Sequence, residues 1–117
     1  MEKEIKKLEM AEATAEEWKE WRSHFDTGWG GGVTLMVWKY QEKIVCWGLK
    51  DSNSNCYITD LYWNSKSAPC GKYGFGRTYA NRPIALNPLG VIETSKGLVL
   101  AIQIYNKYET IKHIPLY

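Results

Sequence analysis

The sequence predicts an α+β fold, in which an N-terminal helix packs on a twisted antiparallel sheet of five to six strands, mostly in meander order. Three observations predict this class. A helix-capping signal precedes a stripe of aromatic residues near residue 15, and β-type apolar runs separated by short polar turns follow between residues 33 and 63. A second hairpin pattern closes the chain at residues 98–115. Apolar runs that follow one another across short turns pair as antiparallel neighbours.

The helix is predicted over residues 15–25. Thr14 and Glu17 have the spacing of a capping box, in which the threonine hydroxyl accepts from a backbone N–H and the glutamate reaches back to the capping residue. Three aromatic residues follow at helical spacing: Trp18, Trp21 and Phe25. Residues three and four positions apart lie on one side of a helix, so this stripe predicts a helix that rests on an apolar surface.

The first strands are predicted at residues 33–40, 43–49 and 56–63. If they pair in order, both faces of the sheet are apolar, and Trp38 shares one face with Trp47. A sheet that is wetted on one side alternates apolar with polar residues, so each face of this sheet needs a cover. The helix covers one face. For the other face a second layer of the same chain, a subunit partner and an aromatic ligand all remain open.

Three further strands are predicted at residues 91–94, 98–105 and 108–115. Pro83 and Pro88 argue against a central strand between them, because proline cannot donate to a sheet ladder. The register of the last hairpin sets Leu100 opposite His113 on the core side, which favours a core role for His113 over a functional one. Residues 2–10 have no clean hydrophobic period, and we favour a helix there.

Length and composition indicate a single domain over residues 1–117. The chain is 44% hydrophobic and 24% charged, which is typical of globular proteins, and its apolar runs are shorter than the roughly 20 residues of a membrane span. The first ten residues lack the apolar core of a signal peptide. Cys46, Cys56 and Cys70 are odd in number and lack Cys-x-x-Cys spacing. We expect a cytoplasmic protein with reduced thiols, no membrane association, no metal and no cofactor.

Residues 64–82 form a long connection that is rich in glycine, aromatic and basic residues. No Asp or Glu lies between Asp60 and Glu93. Four cations fall in that interval: Lys66, Lys72, Arg77 and Arg82. Residues 1–20 carry a net charge of −3, so the rest of the chain carries +5. The cations of this segment therefore need water, a distant acid or an anionic ligand.

The segment has the residue types that bind nucleotides. Glycines let backbone N–H groups approach a phosphate, arginine binds phosphate with two parallel hydrogen bonds, and aromatic rings stack on bases. The predicted ligand-binding residues are Lys72, Tyr73, Phe75, Arg77, Tyr79 and Arg82, with Trp29 and Trp63 as further stacking residues. We expect a non-enzymatic protein that binds and sequesters a nucleotide, a nucleotide signal or a short nucleic-acid segment, as a phage or host-defence component does. The opposing interpretation is a surface loop whose aromatic residues pack under its own backbone.

Two other functions remain open. The run Gly76-Arg77-Thr78-Tyr79 after a helix-then-sheet pattern resembles the barnase family of microbial ribonucleases, which implies metal-independent RNA cleavage with Arg77 at the phosphate. Glu93 as base and His113 as acid complete this alternative. The chain departs from that family where a glutamate follows the run, because Ala80-Asn81-Arg82 stand there. The third function is an interaction or inhibitor module, a homo-oligomer or one with a protein partner, that uses the second apolar sheet face.

Overall fold

The computed structural model describes residues 4–25, 33–51, 58–66, 71–74, 85–105 and 110–117. Its elements in chain order are β1 (Glu9–Glu12), α1 (Ala15–His24), β2 (Val33–Tyr40), β3 (Lys43–Asp51), β4 (Ile58–Trp63), β5 (Gly71–Gly74), β6 (Ala85–Thr94), β7 (Gly97–Tyr105) and β8 (Thr110–Pro115). Strands β1 to β5 form a larger antiparallel sheet in that order, and β6 to β8 form a smaller one. The α+β class is confirmed, but the expectation of a single sheet of five to six strands is wrong.

Helix α1 begins at the predicted capping box. The Glu17 backbone N–H donates to Thr14 Oγ1 at 3.2 Å, and the Thr14 backbone N–H donates to Glu17 Oε1 at 2.9 Å. Acidic residues in the first turn and basic residues in the last turn suit the helix dipole. The helix ends at His24, one residue before the predicted end, and the Phe25 N–H still donates to the Trp21 carbonyl oxygen at 2.8 Å.

Aromatic residues fix α1 to one face of the larger sheet. The ring of Trp21 meets Tyr62 edge-on at a centroid distance of 5.4 Å, and the ring of Phe25 lies 5.6 Å from Trp47. Leucine and valine residues of β2 and β3 complete this buried layer. Burying a large apolar side chain contributes roughly 1.5–3 kcal/mol, so this cluster rather than helix propensity holds α1 in place.

The smaller sheet covers the other face of the larger sheet. The core between them contains, from the larger sheet, Trp38, Val45, Cys46, Leu61 and Trp63, and from the smaller sheet, Leu86, Val91, Leu100, Ile102, Ile104 and Ile114. The described part of the chain thus has three layers, which are the helix, the larger sheet and the smaller sheet. The second apolar face needs no subunit partner or ligand to cover it, because a second layer of the same chain does so.

The segment before α1 joins the two sheets and is not the helix that we favoured. Lys6 and Val91 exchange two backbone hydrogen bonds of 2.7 and 2.9 Å, and β1 then pairs with β2. A Cβ atom on Gly90 would lie 2.2 Å from the Lys6 carbonyl oxygen, so this close approach requires glycine. All four β1 side chains are exposed, and the strand is therefore held by main-chain bonds that leave no hydrophobic period in the sequence.

An extra residue in β3 changes which side chains share a face. Along β2 and β3, Trp38 pairs with Cys46 and the next residue, Lys39, pairs with Ile44, so Val45 has no partner on β2. This bulge puts Val45 and Cys46 on the side of Trp38 and turns Trp47 toward the helix. The expectation that Trp38 and Trp47 share a face is wrong for this reason.

The smaller sheet also departs from the predicted register. Strand β6 begins at Ala85 and includes Pro88, which an outer strand tolerates at a bulge, and the β6–β7 register shifts between Pro88 and Gly90. In the last hairpin, His113 pairs with Ala101 and not with Leu100. A slip of one residue moves a side chain to the opposite face, so His113 is exposed and is not a core histidine.

In the described part of the chain, no helix combines the length and the apolar character that crossing a bilayer requires.

Candidate functional site

The predicted ligand-binding segment begins on an outer strand of the larger sheet. Strand β5 pairs with β4 through four residue pairs that run from Asp60–Gly74 to Trp63–Gly71. Lys72 and Tyr73 therefore lie within β5, which corrects the prediction of an irregular connection there. The other ligand-binding residues and one of the two stacking residues lie outside the described ranges: Phe75, Arg77, Tyr79, Arg82 and Trp29.

Trp63 belongs to the core and does not present a free ring to a ligand. It is 7% exposed and lies between the two sheets. A Cβ atom on Gly71 would lie 2.1 Å from Trp63 Nε1, so the indole rests directly on the Gly71 backbone. This geometry corrects the stacking role that we predicted for Trp63. The ring instead fixes the first residue of β5, and hence the start of the predicted ligand-binding residues 71–82, on the sheet.

The alternative catalytic residues Glu93 and His113 are not brought together. Glu93 pairs with Leu98 on the face that packs toward the larger sheet, and its carboxylate accepts a hydrogen bond from the Tyr40 hydroxyl. His113 pairs with Ala101 on the opposite face of the same sheet. A base and an acid on opposite faces cannot act on one substrate, so the geometry does not favour a ribonuclease that uses this pair.

The described ranges contain no group of three or more His, Cys, Asp or Glu side chains placed to hold a metal ion. Cys46 is a free thiol that is completely buried beside Trp38 in the core between the sheets. Burial raises the pKa of the Cys46 thiol, because a thiolate would lack solvation there. Cys46 is therefore an inert core residue. Cys56 and Cys70 lie outside the described ranges.

Sequence reasoning missed a cleft of about 410 Å³ between α1 and the β2–β3 hairpin. Its lining residues are Glu17, Glu20, Lys39, Glu42, Lys43, Ile44, Trp47 and Asn64. Within the cleft, Lys39 Nζ lies 3.0 Å from Glu17 Oε2, and the backbone N–H of Thr14 together with this ammonium group lowers the pKa of Glu17. The charges of the helix and of the hairpin are visible in the sequence. Their proximity depends on how α1 lies across the sheet, which no sequence signal gives.

The hairpin turn at the rim of this cleft has an uncommon backbone. Gln41 and Glu42 have φ angles of +51° and +67°, in the left-handed region that non-glycine residues rarely adopt. Two successive residues of this kind form the tight turn whose twist matches that of antiparallel strands. The turn places Glu42 beside Lys43 at the edge of the cleft.

Comparison of the chain with known protein families, with curated proteins and with solved structures gave no match.

Proposed function

We propose that this chain is a small cytoplasmic, non-enzymatic protein that binds and sequesters an anionic, base-containing ligand at residues 71–82. The ligand is a nucleotide, a nucleotide signal or a short nucleic-acid segment, and the setting is phage or host defence. Arg77 and Arg82 hold the phosphate groups, Lys72 adds positive potential, and Tyr73, Phe75 and Tyr79 stack on the base.

The observation that carries the proposal is the basic, acid-free stretch between Asp60 and Glu93. Several acids elsewhere in the described part of the chain already have partners: Glu93 with Tyr40, Glu17 with Lys39 and Glu4 with Lys6. Carboxylates that are engaged in this way are poor candidates to neutralise the basic segment. An external anion is the simplest partner for its cations.

The position of β5 also supports the proposal. Binding residues commonly lie on connections that a rigid scaffold holds in place. Here the contact between Trp63 and Gly71 fixes the start of the segment to a sheet that is covered on both faces. The segment therefore begins on an outer strand of the larger sheet.

The competing functions have less support. A ribonuclease would need Glu93 and His113 on one side of the smaller sheet, and they lie on opposite sides. An interaction module, whether a homo-oligomer or one with a protein partner, was predicted to use the second apolar face of the sheet. That face is occupied by the smaller sheet, so we do not propose it as an interface.

A nucleotide panel tests the proposal. We expect one or more mono-, di- or oligonucleotides to raise the melting temperature and to quench tryptophan fluorescence, with affinity falling as salt rises. Arg77→Ala should weaken binding by roughly 10- to 100-fold, as expected for the loss of a charge-assisted hydrogen bond. Lys96→Ala removes an exposed lysine from the β6–β7 turn and is the matched control. Equal binding by Arg77→Ala and wild type, or no binding across the panel, would overturn the proposal.

A further inference from the structure

The outer face of the smaller sheet, which points away from the larger sheet, is apolar. We propose that this face is the interface of a homodimer, in which two copies of the chain pack their smaller sheets together around a two-fold axis. It is not the second apolar face of the larger sheet, because that face is covered within the chain. The inference does not rest on the nucleotide proposal.

Strand β7 has apolar residues on both of its sides. Leu98, Leu100 and Ile102 face the larger sheet and contribute to the core between the sheets. Val99 and Ala101 alternate with them and therefore lie on the outer face. A sheet with one wetted face alternates apolar with polar residues, whereas a continuous apolar run is typical of a strand that is covered on both sides. The pattern of β7 indicates that its outer face has a cover too.

The strands on either side of β7 extend this apolar surface. Val99 pairs with Ile92 of β6 and with Pro115 of β8, so the three side chains form one row across the outer face. Neither Ile92 nor Val99 belongs to the core between the sheets or to the aromatic layer under α1. The row is thus an apolar surface that the described part of the chain does not use for its own packing.

Two isoleucines of the outer face are exposed in the single chain. Ile111 pairs with Gln103 of β7 and is 53% exposed. Ile5 is 40% exposed, and its Cγ2 would lie 2.7 Å from a Cβ atom on Gly90, which places Ile5 over the outer face of β6. Single exposed apolar side chains are common on protein surfaces, but two that flank one apolar row form a patch of the kind that marks an interface.

The lack of charge on this face favours a second copy of the chain as the partner. At the paired positions of β6, β7 and β8 that the structure describes, the outer face holds no Asp, Glu, Lys or Arg, and His113 is the only residue there that titrates near neutral pH. A nucleic acid or a charged peptide would find no counter-charge on it. Homodimer interfaces are more apolar than those between transient partners, and two-fold dimers are the commonest oligomers.

The size of the face suits a small dimer interface. At usual strand spacings, three strands with the segment at Lys6 beside them, and the length of β7, span roughly 20 by 30 Å, or about 600 Å² on each copy. The two copies together would bury about 1,200 Å², which is at the lower end of the range for specific interfaces. Packed sheets lie about 10 Å apart with their strands nearly aligned, and no helix covers this face in the described ranges. A face of this size predicts a reversible dimer whose population rises with protein concentration.

Analytical ultracentrifugation of the full chain over a concentration series tests the dimer. We expect the average mass to rise from monomer towards dimer between about 1 µM and about 1 mM. Ile111→Lys puts a charge on the outer face and should weaken dimerisation at least about tenfold. Met10→Lys is the matched control, because Met10 is 60% exposed but lies on β1 of the larger sheet, and it should dimerise as wild type does. A wild-type chain that stays monomeric over the whole series, or equal weakening by the two variants, would overturn the inference.

Nuclear magnetic resonance of methyl groups locates the contact independently of these variants. We expect the ¹³C-methyl resonances of Ile92, Val99 and Ile111 to shift as the concentration rises, while that of Met10 stays in place. Val99→Thr keeps the shape of the side chain but adds a hydroxyl, so it should weaken the dimer while thermal denaturation still shows a folded chain. Concentration-dependent shifts confined to β1 or α1 would place the contact elsewhere and contradict this interface.

Discussion

The Tyr40 hydroxyl donates a hydrogen bond to the Glu93 carboxylate and so joins the two sheets. Tyr40 is the last residue of β2 in the larger sheet, and Glu93 lies near the end of β6 in the smaller one. The Tyr40 side chain packs against the core between the sheets, so the hydrogen bond lies at one edge of that core. The hydrogen bond to Glu93 raises the pKa of Tyr40, with burial and the negative charge of Glu93 acting in the same direction.

This bond predicts a loss of stability at alkaline pH. A pKa that folding raises contributes stability that is fully present below the unfolded value of 10.0 and is lost as the pH rises through the folded value. Tyr40→Phe keeps the ring but removes the hydroxyl. We expect the free energy of unfolding of the variant to decline less steeply than that of wild type above pH 10.0, as measured by urea denaturation at a series of pH values.

Glu93→Gln is the matched control for this prediction. The amide still accepts a hydrogen bond but carries no charge, so in the Glu93→Gln background the Tyr40→Phe change should keep part of its effect on stability at neutral pH. Parallel alkaline profiles for wild type and Tyr40→Phe would show that the contact between Tyr40 and Glu93 does not contribute to stability.

A second prediction concerns the start of α1. Thr14→Ala removes the acceptor for the Glu17 backbone N–H and should lower the free energy of unfolding by about 1 kcal/mol, within a usual range of roughly 0.5–2 kcal/mol. Thr14→Ser keeps the hydroxyl and should cost much less. Chemical denaturation followed by circular dichroism measures both variants, and equal stabilities of the Ala and Ser variants would contradict the role of the cap.

The cap also has a predicted pH dependence. The Thr14 backbone N–H and the Lys39 ammonium lower the pKa of Glu17 in the folded state. A lowered pKa contributes stability that is present above the unfolded value of 4.5 and is lost as the pH falls through the folded value. Glu17→Gln should therefore flatten the acid side of the stability profile. Glu16→Gln, one residue earlier on the exposed side of the helix, should leave that profile unchanged.

Local signals in the sequence predicted local structure well. Thr14 and Glu17 located the start of α1, because a capping box depends only on residues three apart. The predicted strands 33–40 and 43–49 correspond to β2 and most of β3. The exposed strand β1 was missed because its side chains bury nothing, and only its main-chain pairing with β2 defines it.

Register and layering could not be predicted in the same way. Relative to the predicted register, the unpaired Val45 turns Trp47 toward the helix. A shift of one residue in the last hairpin turns His113 from the core face to the surface. Side chains alternate along a strand, so one bulge or one turn residue reverses every later assignment. Because the second face of the sheet is apolar, the sequence predicted that another layer covers it. The sequence alone could not decide whether that cover was the chain itself.

The basic segment and the cleft differ in the same respect, because only the first can be recognised from the sequence. The basic segment was found from composition, because an absence of acid between Asp60 and Glu93 is visible in the chain itself. The cleft depends on α1 lying beside the β2–β3 hairpin, which brings Glu20 and Lys43 to one cavity. Residues distant in sequence form such a site, and only the packing of the helix against the sheet reveals it.

A fourth prediction separates the two tryptophans of α1. Trp21 is 2% exposed and packs on Tyr62, so Trp21→Ala should cost roughly 3–5 kcal/mol. Trp18 is half-buried and carries the Arg22 guanidinium 4.7 Å from the centre of its ring. Trp18→Ala removes edge packing on Trp21 and this cation–π contact, and should cost about 1 kcal/mol. Thermal and urea denaturation measure both, and a larger cost at Trp18 would contradict the packing of α1.

The last prediction tests how Trp63 holds β5. A Cβ atom at position 71 would lie 2.1 Å from Trp63 Nε1, so Gly71→Ala should destabilise the fold by roughly 1–3 kcal/mol through overpacking. A loss of stability in Gly71→Ala would be informative, because alanine in a strand is otherwise more favourable than glycine by roughly 0.5–1 kcal/mol. Trp63→Phe lacks the indole nitrogen, and the double variant Trp63→Phe/Gly71→Ala should therefore be more stable than the sum of the two single changes predicts.

Nucleotide binding by the same variants connects this contact to function. If Trp63 and Gly71 fix the start of the basic segment, Gly71→Ala should weaken nucleotide binding beyond its effect on global stability, and the double variant should recover part of the affinity. Gly48→Ala is the control: its Cβ atom would lie 2.7 Å from Trp38 Cζ3, so it also strains a core tryptophan, but it lies in β3, which β4 separates from β5. An equal loss of binding in the Gly48 and Gly71 variants would mean that strain anywhere in the core, rather than the position of β5, controls the ligand site.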